Sequence, residues 1–133
     1  AWLAQGNYEQ ARQHAQEACS RAQALRDDWL LAYGLNEWGD SLCGLGDTTR
    51  ARKLYQESYQ IRQSFNDPEG IALALNHLGK VALLEEKYRE AQRFYQESYA
   101  IYATIFDRGG FATALNGLGR CALGLHQLAE ARK

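Results

Sequence analysis

A step of forty residues runs through this chain and restricts it to a repeat architecture. Leu35-Asn36 recurs as Leu75-Asn76 and again as Leu115-Asn116. Gly39, Gly79 and Gly119 keep the same interval, as do Ala11, Ala51, Ala91 and Ala131. The run Tyr55-Gln56-Glu57-Ser58-Tyr59 returns letter for letter as Tyr95-Gln96-Glu97-Ser98-Tyr99. Between 35–74 and 75–114, about 14 of 40 positions are identical, and the register never slips. One supersecondary unit, repeated and stacked, is the architecture such a pattern encodes.

Within each repeat the apolar spacing is helical. Ile71, Leu75, Leu78 and Ala82 predict a first helix from about Pro68 to about Leu84. Asp67 stands where a carboxylate caps free backbone N–H groups, and Pro68 suits the first helical turn. Asp27 or Asp28, and Asp107, hold the corresponding places. Gly46-Asp47 and Glu85-Glu86-Lys87 break the pattern, and a second helix follows from about Tyr88 to about Phe106. Its apolar or small face is Ala91, Phe94, Tyr95, Ser98 and Ile101. Small Gly79 and Ala91 on facing helices let the backbones approach, with Tyr95 and Leu78 filling the space around them. The chain therefore divides into a partial repeat 1–26, repeats 27–66 and 67–106, and an incomplete repeat 107–133, with Ala1 inside a first helix and Lys133 inside a second.

Charge and cysteine usage exclude several functions. Fifteen basic residues against sixteen acidic give a net charge of −1, with no basic stripe of the kind nucleic acid requires. No apolar run reaches the roughly 18 residues of a membrane span. Cys19, Cys43 and Cys121 are scattered and odd in number, which fits reduced, buried small hydrophobes in a cytoplasmic protein better than a disulfide framework or a zinc site. No methionine occurs and the chain opens on Ala1, which suggests a piece of a longer polypeptide. His14, His77 and His126 form no pair with each other or with a cysteine, although His77, beside Asn76, is a candidate groove residue. Gly44-Leu45-Gly46 lacks the Lys-Ser/Thr of a phosphate loop. The expected function is non-catalytic, without cofactor or metal.

The residues Leu75, Leu78-Gly79, Tyr88, Ala91, Tyr95 and Ser98 resemble the tetratricopeptide repeat pattern. Trp38-Gly39, Gly46, Ala51, Tyr55 and Ser58 repeat it, with Gly6, Tyr8 and Ala11 before and Leu118-Gly119, Leu128 and Ala131 after. The step is forty residues rather than the family's common thirty-four, and the usual terminal proline is replaced near Ala103. Forty-residue versions resemble those of kinesin light chains and of sensor regions in bacterial signal-transducing ATPases and transcription regulators, and the wording Ala-Leu-Asn-x-Leu-Gly is more similar to the bacterial group. The resemblance implies an all-α, right-handed superhelical solenoid of antiparallel helix hairpins that binds protein or peptide segments. It also allows a second role, as the ligand-sensing or oligomerising region of a bacterial regulator.

By the same resemblance, first helices line the concave surface. The groove positions are then Tyr33, Asn36, Asp40 and Cys43; Leu73, Asn76, Lys80 and Leu83; and Thr113, Asn116, Arg120 and Leu123. Each set is spaced by three or four residues and so forms one stripe. The ladder Asn36, Asn76, Asn116 either meets a peptide backbone or bonds neighbouring helices and water. Asp40, Lys80 and Arg120 change sign at one equivalent position, which either orients a partner with its acidic part toward Lys80 and Arg120 or marks a solvated face. The family's carboxylate clamps carry lysine where Asn36 stands, so chaperone tails are not expected ligands. Gln56, Glu57, Gln96 and Glu97 read as a solvated outer face, and the paired tyrosines as inter-helix packing. Uncapped repeat ends imply self-association.

Overall fold

The computed structural model describes residues 2–132. Six helices follow one another: α1 Trp2–Ala24, α2 Asp28–Gly44, α3 Thr48–Ser64, α4 Pro68–Leu84, α5 Tyr88–Ile105 and α6 Arg108–Ala131. The described residues contain no strand. The fold is all-α, built from helix hairpins. Two compact units, Ala1–Asn66 and Asp67–Lys133, each hold three helices. In the first, α2 packs on both α1 and α3; in the second, α5 packs on both α4 and α6.

The helix starts follow the capping logic of the sequence. Asp27, Asp47 and Asp107 accept bonds from the N–H groups of Leu30, Arg50 and Gly110 at 3.1, 3.2 and 3.1 Å. Asp67 differs from the expectation. It occupies the N-cap position with no side-chain capping bond, and Pro68 stands in the first turn. Proline removes one of the orphan donors and presets φ, so the carboxylate has less to satisfy.

The turns recur as strictly as the helices. Arg26, Asn66 and Phe106 take left-handed φ of 56°, 51° and 57° between repeats. Within the hairpins, Gly46 and Glu86 take φ of 87° and 59°. A left-handed non-glycine residue costs roughly 1–2 kcal/mol, so each such turn needs the packing of the next helix to offset it.

Elsewhere two helices depart from expectation. The break inside the last repeat is absent: α6 continues through Leu125-His126-Gln127 to Ala131 as one helix. α1 likewise passes through Gly6-Asn7 without a turn. Ala1 and Lys133 themselves lie outside the described residues.

The cores centre on small residues facing rings. In the first unit Ala15, Cys19 and Ala22 of α1 meet α2, where Gly34 faces Cys19, and α3 buries Ala51, Tyr55 and Ser58. In the second, Leu75, Leu78, Val81 and Ala82 of α4 and Ala91, Tyr95, Ser98 and Tyr102 of α5 are buried, with Ala114, Gly117 and Cys121 of α6. All three cysteines are free thiols; Cys19 and Cys121 are buried and Cys43 half-buried. Burial pushes the Cys19 thiol up to about 11 and raises that of Cys121, so both are protonated, unreactive core groups at neutral pH.

The Tyr95 ring is held from two sides. A Cβ on Gly79 would lie 2.7 Å from it, and a Cβ on Gly117 would lie 2.4 Å from it. The ring cannot yield to one helix without striking the other. Gly119 keeps the repeat's glycine register, yet a Cβ there would meet nothing within 4 Å. Gly117→Leu is therefore expected to destabilise the fold by roughly 1–3 kcal/mol or more, as Gly79→Leu should. Gly119→Ala should stabilise it by about 0.5–1 kcal/mol through helix propensity. Urea unfolding midpoints of the three variants check this; equal effects at 117 and 119 would contradict the wedge.

Candidate functional site

Two short turns bring the chain from α4 through α5 into α6, so α4 and α6 run in the same direction on one side of α5. Between them lies a cleft of about 460 Å³. Along α4 it is lined by Glu69, Leu73, Asn76, His77 and Lys80; along α6 by Gly110, Thr113, Asn116, Gly117 and Arg120. Residues 69, 73, 76 and 80 recur every three or four positions, as do 110, 113, 117 and 120. Each set is one helical stripe. Tyr95, Tyr102 and Asp107 complete the lining.

Six of the twelve groove positions thus come together: Leu73, Asn76, Lys80, Thr113, Asn116 and Arg120. Leu83 is buried and borders a smaller cavity of about 160 Å³ with Arg120 and Leu123. Tyr33, Asn36 and Asp40 belong to the first unit. There Tyr33 is half-exposed with the Arg62 guanidinium 4.3 Å from its ring centre. The Asp40 carboxylate accepts a 2.5 Å bond from the Tyr55 hydroxyl, which also lies 3.5 Å from Cys43 Sγ.

The three asparagines have three different environments. Asn76 is 6% exposed; its Oδ1 accepts a 2.6 Å bond from Ser98 Oγ, and its Nδ2 donates to Gly110 O at 3.5 Å. Ser98 Oγ also lies 3.2 Å from Ala72 O. This amide ties α4 to both α5 and α6. Asn36 is 5% exposed, and its amide has no hydrogen-bond partner among the described residues. Asn116 is exposed on the cleft wall.

Two phenols reach the cleft from α5. Burial, chiefly, pushes Tyr95 up to about 12; Cys121 adds to the rise and the Arg120 charge opposes it. Burial also pushes Tyr102 up to about 12, helped by the Asp107 and Glu69 carboxylates. Tyr55 is raised for the same reason, with Asp40 beside it. The hydroxyls at the cleft are thus neutral at physiological pH and able both to donate and to accept. His77 holds its Nδ1 2.9 Å from Leu73 O, so its ring is fixed against its own helix.

The sequence pattern does not reveal Glu69, Tyr102, Gly110 and Gly117 as cleft residues. Tyr102 is equivalent by the forty-residue step to Arg62 and Ala22, and all three are buried although chemically unrelated. Gly117 falls outside the repeating glycine register. Only the caps and the first-helix stripe carried a signal. Gln56, Glu57, Gln96 and Glu97 are exposed, as a solvated outer face requires.

A profile of the tetratricopeptide repeat family matches residues 30–104, more than half of the sequence. The chain belongs to that family. No curated protein matches it. Among solved structures it is similar to a Podosopora anserina protein described as a kinesin light chain with nearly identical TPR-like repeats. The TM-score is 0.71 at 17% identity, over 97% of this chain and 68% of that one. The likeness establishes a TPR-like fold of stacked helix hairpins.

Replacing Ser98 by Ala should cost about 1–3 kcal/mol, because it leaves the buried Asn76 oxygen without its donor. Asn116→Ala, on the exposed wall, should change stability by less than about 0.5 kcal/mol. Thermal and denaturant unfolding of the two variants gives the comparison, and a neutral Ser98→Ala would show that the Asn76 bond does not hold the helices.

Proposed function

We propose that this chain is a non-catalytic, cytoplasmic protein-interaction scaffold that holds a peptide or protein segment in the cleft between α4 and α6. TPR repeats are generally protein-interaction scaffolds. The observation that carries the more specific reading is the cleft itself, which joins Leu73, Asn76, Lys80, Thr113, Asn116 and Arg120 along two parallel helices. It is open to solvent, and apart from Leu73 and two glycines every side chain that lines it ends in a polar or charged group, the phenols of Tyr95 and Tyr102 among them. Such a lining matches an extended backbone better than a compact apolar ligand, which takes a mostly hydrophobic pocket. Free thiols at Cys19, Cys43 and Cys121 suit a reducing compartment.

Substituting the asparagine ladder would confound this reading, since Asn76 holds the helices together. A photo-activatable cross-linking residue at Thr113, exposed on the cleft wall, avoids the problem. The same residue at Gln96, exposed on the outer face of α5, is the control. In extract of the source organism, a protein joined through 113 and not through 96 is the expected outcome. Joining through 96 alone would place recognition on the outer face, and no adduct from either would count against a scaffold.

A second reading, self-association, is favoured by one face of α6. Leu75 and Ala82 of α4 are at most 1% exposed beneath α5. Their equivalents on α6, Leu115 and Ala122, are exposed, Leu115 by 47%, and Gly119 meets nothing. A helix of the α5 type, small at the contact and aromatic beside it, is what this face accepts in the preceding repeat. Sedimentation velocity should show concentration-dependent association that Leu115→Glu abolishes. A monomer at all concentrations would dismiss the second reading alone.

A further inference from the structure

The lining of the cleft is not uniform in charge. Glu69 and Asp107 stand at the helix-start end of α4 and α6, and Lys80 and Arg120 stand toward the other end. Leu73, Asn76, His77, Thr113 and Asn116 lie between them. Both helices run the same way, so each end gathers two charges of one sign. From Glu69 to Lys80 is eleven residues, or about 16 Å of helix. An extended strand advances about 3.3 Å per residue, so that distance spans about five residues of ligand.

We infer that the cleft selects an extended segment of another polypeptide that carries opposite charges about five residues apart, its cation beside Glu69 and Asp107 and its carboxylate beside Lys80 and Arg120. The inference rests on the cleft reading proposed above and adds the chemical class of its ligand. Charge complementarity chooses this occupant over the alternatives. A uniformly acidic or basic segment gains at one end and is repelled at the other, and like charges across an interface cost specificity. A nucleic acid meets two carboxylates at one end of the cleft. Between the charged ends, the Tyr95 and Tyr102 hydroxyls and the Asn116 amide offer donors and acceptors to a ligand backbone without reading its side chains. The Asp107 carboxylate also accepts the Gly110 N–H, which fixes its position at the acidic end.

The test is selection from a random-heptapeptide display library on the immobilised 133-residue chain. Lys80→Glu/Arg120→Glu serves as a second bait and Thr113→Trp as a third, each first checked for wild-type helical circular dichroism. Should the double variant fail to fold, Glu69→Lys, at an exposed position, replaces it; its charge cancels that of Asp107, so it should lose the cationic preference and keep the acidic one. Wild type is expected to enrich peptides with Lys or Arg separated from Asp or Glu by four or five positions. The double variant should lose the acidic preference, select cations at both ends, and bind the wild-type peptides roughly tenfold more weakly or worse. Binding of those peptides should also weaken with added salt. Enriched peptides that lack this spacing, yet compete with one another and are lost on Thr113→Trp, would overturn the charge inference while leaving the cleft as the binding surface. Absence of enrichment on wild type, or enrichment that Thr113→Trp does not disturb, would overturn both.

Discussion

The contact on which the second unit depends is the Tyr95 ring lodged between the bare backbones of Gly79 and Gly117. It sets how closely α4 and α6 approach α5, and through α5 how far they stand from one another. The first unit repeats half of the arrangement, with Tyr55 over Gly39 at a distance where a Cβ would lie 2.5 Å from the ring. Rings of this size bury large apolar areas, and a glycine opposite them is the only residue that admits the ring without a shift. Removing the freedom of either glycine would propagate to every side chain placed by those helices, including both walls of the cleft.

The same ring connects helix packing with the lining of the cleft. Tyr95 lodges its ring between Gly79 and Gly117 and lines the cleft, where burial keeps its phenol neutral. Asn76 does likewise: it lines the cleft while binding Ser98 and Gly110. A residue that both ties the helices together and lines the cleft is a poor place to look for tolerance to substitution. Substitution is less constrained at exposed wall positions such as Thr113 and Asn116.

Equivalent positions need not have equivalent chemistry. At one position along the forty-residue step stand Ala22, Arg62 and Tyr102, each at most 3% exposed. The tyrosine fills space opposite Gly110. The arginine lays its guanidinium over Trp29 and Tyr33, at 4.6 and 4.3 Å from the ring centres, a cation–π arrangement that supports a buried charge. A uniform backbone scaffold thus accommodates different side-chain solutions, which is how a repeat array acquires distinct surfaces without changing fold.

The sequence alone determined the all-α plan and both helices of the repeat 67–106, expected at about Pro68 to Leu84 and about Tyr88 to Phe106 and found at Pro68–Leu84 and Tyr88–Ile105. Those signals are local: a 3.6-residue apolar period, an aspartate before each first helix, a break near Gly46 and Glu86. Each is contained within a few residues and depends little on what packs beyond them. The sequence also marked six of the thirteen residues that line the cleft. Only the tertiary structure decided that three identical asparagines would fare differently. Asn76 finds Ser98 and Gly110, Asn36 finds no partner among the described residues, and Asn116 faces the cleft. Nor could the repeat pattern show that Gly117, off the repeating register, would take the contact Gly119 lacks, or that α1 and α6 would run straight through their expected turns. These outcomes depend on which neighbour stands across from a residue, and the strength of that contact decides whether a strained turn or a buried polar group is worth its cost.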